Sequence, residues 1–254
     1  MSNAETSGDG EQSFLSHLVE LRSRLLKAVA VVLIILVALI PLANKLYAWL
    51  AKPLLEHLPA GGAMIATDVA SPFFAPLKLA FFVAVFIAMP FILYQGWSFV
   101  SPGLYKHERR LAVPLLASSV MLFYIGCAFA YFLVLPAIFT FMTSVAPEGV
   151  AVMPDISRFL DFALVLFLAF GLCFEVPVAL VILVAIGAVS PEQLVKSRPY
   201  TIVGAFVIAA VLTPPDVISQ LLLAIPMCLL YEVGIFAARL LGTRKIDEQT
   251  TPGA

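Results

Sequence analysis

The sequence predicts an all-α membrane protein with six transmembrane helices and both termini in the cytoplasm. Three observations lead to this. Hydrophobic residues make up 62% of the chain and charged residues 12%, with a mean hydropathy of +1.04, whereas soluble domains hold roughly 45–50% and about 25%. The apolar residues gather in runs long enough to cross a bilayer. The cations gather in alternate connections between those runs. Lipid is therefore the solvent for most of the surface.

A crossing needs about 20 mainly apolar residues. The first spans about Leu25 to Trp49 and the second about Leu77 to Phe99. The third spans about Leu111 to Met142 and the fourth about Phe159 to Val189, where Pro177 predicts a kink because proline removes a backbone donor. The fifth, Pro199 to Leu212, is cut off by the turn "TPPD". The sixth, Val217 to Ala238, is interrupted by Gln220 and Glu232, so the last two crossings are expected to be short. Ahead of the first crossing, "SFLSHLVELRSRLL" carries Leu18, Leu21 and Leu25 on one helical face, an amphipathic helix that lies on the membrane or enters it. Residues 1–13 form a polar tail, not a cleavable leader; 14–241 form one six-helix unit; 242–254 form a second tail.

Orientation follows from Lys and Arg. Arg22, Arg24, Lys27, Lys106, Arg109, Arg110, Lys196, Arg198, Arg239, Arg244 and Lys245 fall on one side; Lys45, Lys52, Lys78 and Arg158 fall on the other. The richer side is cytoplasmic. The opposite side holds two longer Pro/Gly-rich connections, Leu50 to Pro76 and Thr143 to Arg158. They read as an ordered cap, with a short interfacial helix near "YAWLAKPLLEHL".

Several classes are excluded. A net charge of −1 provides no field for nucleic acid. There is no GxxxxGK[ST], HExxH or GxSxG, no nucleophile–base pair and no metal-ligand spacing. No enzyme, cofactor or metal site is expected. Cys127, Cys173 and Cys228 lie in three different apolar runs and read as small buried hydrophobes.

The polar residues within this apolar chain carry what function can be read. Glu175, in "FGLCFEVPVAL", must face protein or water. It is a proton site, a polar contact for a passing substrate, or a carboxyl bonded to a neighbouring helix. The loop "FVSPGLYKHERR" places Glu108 among Lys106, His107, Arg109 and Arg110; positive-inside anchoring explains the cations but not Glu108, nor Glu20 beside Arg22 and Arg24. Two such carboxylates can receive a dibasic ligand or close salt bridges to Arg22 or Arg109. Asp216 is placed to cap the sixth helix, and Thr213, Ser219 and Gln220 offer polar contacts to a partner helix.

"HLVELRSRLL", "SPGLYKHERR", "FEVPV" and "LTPPDVISQLLLAIPM" occur in that order along six crossings. From about Phe14 to Leu241 the chain closely resembles the TatC family, the core and receptor subunit of the twin-arginine protein translocase. The resemblance implies a concave, glove-shaped bundle in the bacterial cytoplasmic (inner) membrane. It would bind twin-arginine signal peptides of folded precursors on its cytoplasmic face, assemble with the single-span subunits TatA and TatB, form a homo-oligomer within the complex, and use the proton-motive force. Carried over by motif, Glu108 binds the arginines, Glu20 assists and Phe99 belongs to the same site. Glu175 belongs to the concave face, Pro53 and Asp216 match positions important for translocation, and Thr213 and Gln220 match the edge where TatB and TatA dock. The alternative is a proton- or ion-coupled small-solute carrier, which would share the helices and the intramembrane acid.

Overall fold

A computed structural model describes the backbone of residues 6–57, 63–100, 109–145, 153–212 and 217–250, and side chains for 19–56, 63–98, 113–145, 153–212 and 217–240. The chain runs as α1 (Thr6–Leu39), α2 (Ala43–His57), α3 (Ser71–Val100), α4 (Arg109–Phe129), α5 (Leu135–Val145), α6 (Ile156–Phe174), α7 (Val176–Ala185), α8 (Pro191–Lys196), α9 (Arg198–Leu212) and α10 (Val217–Thr250). A 3-10 turn at Ile40–Leu42 separates α1 from α2, and a π-helical turn at Ala130–Val134 joins α4 to α5.

Five stretches are long and apolar enough to cross a membrane: Val19–Glu56, Ser71–Ser98, Val113–Val145, Ile156–Ala185 and Val217–Leu240. α9, with 15 residues, is the shorter sixth. The expected amphipathic entry helix is continuous with the first crossing, since α1 runs unbroken through it. The first crossing is interrupted by the 3-10 turn at Pro41, a break the sequence reading did not anticipate. Beyond the turn, α2 is no surface helix: its Tyr47, Leu50, Ala51 and Leu54 are buried in the main core. Among the last two crossings only α9 is short. Gln220 and Glu232 do not truncate α10, because both are paired within the fold. The Gln220 amide donates to the Phe206 carbonyl at 3.1 Å, and Arg198 donates to Glu232 at 2.6 Å.

Lipid tails are as apolar as leucine, so packing and polar contacts hold such a bundle together. Small residues let the helices approach. Ala80, Ala84 and Ala88 recur every fourth residue on α3 and are almost fully buried; Ala84 and Ala88 pack with Val32 of α1. A Cβ on Gly126 of α4 would stand 2.6 Å from the Phe170 carbonyl oxygen of α6, so that crossing tolerates only glycine without a backbone shift. The main core joins α2, α3, α4, α5, α6, α9 and α10 around Leu135, Ile138, Leu160, Leu166, Phe170 and Leu223. A smaller cluster packs α7 and α8 on α10, and Tyr231 donates to the Leu194 carbonyl at 2.8 Å.

The connections at the other end are tied down, as expected of a cap. Ile65 pairs with Asp155 in an isolated parallel bridge. The Asp155 carboxylate accepts from the Thr67 amide (2.9 Å) and hydroxyl (2.7 Å) with one oxygen. With the other it accepts from the Ser157 and Arg158 amides, both at 3.0 Å, which caps α6. These bonds, led by that of the Thr67 hydroxyl, hold the Asp155 carboxyl well below the usual carboxylate range.

Candidate functional site

The last turns of α3 organise the polar groups at the end of the bundle opposite the cap. Gln95 reaches α1: the Arg24 guanidinium donates to its Oε1 at 3.4 Å. Arg24 also donates twice to Glu20 Oε1, from Nε at 3.0 Å and from Nη2 at 2.5 Å. The salt bridge that Glu20 forms among the described residues is thus to Arg24, one helical turn away, where Arg22 or Arg109 was expected; the Arg109 side chain lies outside the described residues. The Glu20 side chain remains 41% exposed.

Trp97, two residues beyond Gln95 and so on a different face of α3, points the other way. Its indole N–H lies 3.4 Å from the buried Ser119 hydroxyl on α4. Ser119 in turn hydrogen-bonds the carboxyl of Glu175. Glu175 is the single residue between α6 and α7. Pro177 accounts for the break: it has no N–H for the Cys173 carbonyl, and the Glu175 amide donates to the Leu172 carbonyl at 3.0 Å in a tightened last turn. The helix is therefore interrupted where Pro177 predicts a kink, at Glu175. Glu175 Oε1 is buried without a hydrogen-bond partner among the described residues. The residue lies 19 positions after Ile156 and 10 before Ala185 in its crossing, displaced from the centre toward the end that carries Glu20.

Phe99 is in the last turn of α3, four residues past Gln95, while Glu20 is one turn before Arg24 on the antiparallel α1. Both backbone positions therefore meet at one end of neighbouring helices; the Phe99 side chain is outside the described residues. Glu108 also lies outside them, immediately before α4 begins at Arg109. Thr213 and Asp216 fall outside as well, between α9 and α10. Gln220 is described, with its amide occupied by Phe206.

Pro53 sits half-buried inside α2. Its missing N–H leaves the Trp49 carbonyl without a helical donor. That carbonyl accepts from the Tyr131 hydroxyl at 3.2 Å. Pro90 in α3 repeats the arrangement: the Phe86 carbonyl, four residues earlier, accepts from the Tyr124 hydroxyl at 3.0 Å. Sequence reasoning singled out Pro53 but missed both tyrosines, and it missed Asp155. The Asp155-Ile-Ser157 start of α6 is an N-cap pattern that could have revealed the last.

At this end of the bundle the geometry provides acceptors for a cationic or hydrogen-bonding ligand. Residues 16–226 match the family described as "Sec-independent protein translocase protein (TatC)". The protein of that name from Azotobacter chroococcum mcd 1 is 56% identical over 233 residues, covering 92% of this chain and 91% of its own. That from Escherichia coli (strain K12) is 55% identical over 233 residues, covering 92% and 90%. A crystal structure described as the twin arginine translocase receptor TatC superposes with a TM-score of 0.78 at 40% identity, covering 88% of this chain and 98% of that one. A solute carrier is not favoured by any of these likenesses. The chain belongs to the TatC family, multi-pass membrane proteins of the Sec-independent protein translocase.

Proposed function

We propose that this chain is the receptor subunit of a twin-arginine translocase, and that the end of the bundle bearing Glu20, Phe99 and Glu108 takes the paired arginines of a signal peptide. The observation that carries this is the half-exposed Glu20 carboxylate, already holding a guanidinium, at the same helix ends as Phe99. It presents the chemistry of the ligand in miniature: a carboxylate accepts two parallel bonds from one arginine. Glu108 is the second and principal carboxylate, supported by its place in "SPGLYKHERR".

That end faces the cytoplasm, in keeping with the Lys/Arg bias of its loops, and the membrane is the bacterial inner membrane. Residues 14–241 act as one polytopic unit between two polar tails. TatB and TatA pack along the edge of α9 and α10 near Thr213 and Gln220, where the short α9 leaves hydrophobic mismatch for a partner helix to cover. Pro53 and Asp216 support translocation through the cap end. Several copies work together, and the proton-motive force drives transport without covalent chemistry in this subunit.

Inverted vesicles carrying this chain with TatA and TatB provide the test. A folded precursor with two arginines should bind and be exported under a proton gradient without nucleotide hydrolysis by the complex. The same precursor with both arginines changed to lysine should fail at binding, because ammonium groups lack the bidentate geometry. Export of both at equal rates would contradict the proposal.

A further inference from the structure

We propose that the groove between the end of α1, the start of α3 and the start of α6 binds one phospholipid with a primary ammonium head group, Lys78 taking the phosphate and Asp161 the ammonium. The groove measures about 760 Å³ and is lined by Leu36, Ile40, Phe74, Phe81 and Leu160 around these two charges. That volume lies within the range of ligand sites, about 300–1,000 Å³.

Lys78 and Asp161 form an ion pair across α3 and α6, yet their side chains stay 56% and 53% exposed. Both stand within crossing segments. Charges facing hydrocarbon are costly and mark sites where something polar arrives. A link between the helices would not need this exposure, and a partly buried one already exists beside it in the Ser157–Ser71 hydroxyl contact at 3.0 Å.

The two charges are in direct contact, so a cation and an anion sit side by side within one apolar groove. The phosphate and the ammonium of a head group are likewise neighbours, and each can meet the opposite charge while an acyl chain runs along Leu36, Ile40 and Phe81. Basic pockets between crossing helices hold lipid head groups in this way. The carboxylate adds selectivity, since a primary ammonium donates hydrogen bonds to it, a choline cannot, and a glycerol head group has no cation.

The full chain, purified in detergent and stripped of lipid, should be offered equal amounts of phosphatidylethanolamine, phosphatidylcholine and phosphatidylglycerol with the same acyl chains. Native mass spectrometry should find phosphatidylethanolamine retained over each of the others by about fivefold, the scale of one exposed charge pair. Lys78→Gln with Asp161→Asn removes both charges and keeps the groove, and should abolish the preference. Asp161→Asn alone, nearly isosteric, should erase discrimination against phosphatidylcholine while lipid is still held. Equal retention of the three lipids by the natural chain, or an unchanged preference in the double variant, would overturn the proposal. So would efficient crosslinking of Phe81→Cys in intact membranes to a second protein helix occupying the groove.

Discussion

The Tyr131 hydroxyl donates to the Trp49 carbonyl, 3.2 Å away and four residues before Pro53. A proline removes a helical bond, and a tyrosine on another element replaces it. Tyr131→Phe should therefore cost about 1 kcal/mol in the natural chain, the net worth of one hydrogen bond. In a Pro53→Ala background residue 53 regains its N–H, and Tyr131→Phe should then cost close to nothing. Denaturant unfolding in micelles across the four variants gives the coupling directly. Equal costs in both backgrounds would show that the two residues are independent. Tyr124 and Pro90 form the same test on α3.

Gly126→Ala probes the approach of α4 to α6. The added methyl meets a backbone carbonyl, which cannot rotate away, at 2.6 Å. A loss of about 1–3 kcal/mol is expected, as for other overpacked sites. Gly204→Ala on α9, where a Cβ meets nothing within 4 Å, should be near neutral or stabilising. The difference between the two is readable as thermal stability of the purified chains.

Asp155 makes the cap pH-dependent in a predictable direction. Its folded pKa is depressed, so the stability it contributes is fully present above the unfolded value, about 4. It fades only as the pH falls from there through the folded value. Asp155→Asn should lower the melting temperature at pH 7. Its deficit relative to the natural chain should stay constant from about pH 8 to 5 and shrink below about pH 4. A deficit that grows on acidification would mean that Asp155 gains its stabilisation as a protonated acid.

Much of this was legible in the sequence because lipid imposes a length and a polarity on each crossing. The six apolar runs, the break at Pro177 and the ordered cap all follow from composition and proline placement. The motif residues Glu20, Phe99 and Glu175 could be named, and the structure brings them toward one end of the bundle. What the sequence hid was pairing across distance. Nothing local in "YAWLAKP" announces that a tyrosine 82 residues beyond Trp49 completes it. Nothing in the run of α10 indicates that Arg198 neutralises Glu232, which is why α10 looked shorter than it is. Asp155 was overlooked in part because two of its four bonds come from Thr67, on the other loop.

Glu175→Gln tests the role of the carboxyl at the break. The amide keeps a carbonyl oxygen for the Ser119 hydroxyl and a donor for a passing ligand. Precursor binding and export should both persist at roughly half or more of the natural rate, the change of a few tenths of a kcal/mol expected for an exchanged neutral hydrogen bond. Glu175→Ala removes both contacts and should reduce export. Intact binding with abolished export in Glu175→Gln would assign the residue to proton transfer instead.

The central claim is that carboxylates at the Glu20 end read paired arginines. It is tested most directly by site-specific photocrosslinking from the 99–110 segment to a twin-arginine precursor in chains carrying Glu108→Ala or Glu20→Ala. The variants should insert and accumulate normally, since Glu20 is only half-buried and Glu108 stands in a polar, charge-rich stretch of sequence. Loss of one charge-assisted bond is worth roughly 1.5–3 kcal/mol, or about 10–100-fold in affinity. Glu108→Ala should abolish the crosslink, Glu108→Gln should weaken it nearly as much, and Glu20→Ala should weaken it less. Undiminished crosslinking in Glu108→Ala would contradict the account.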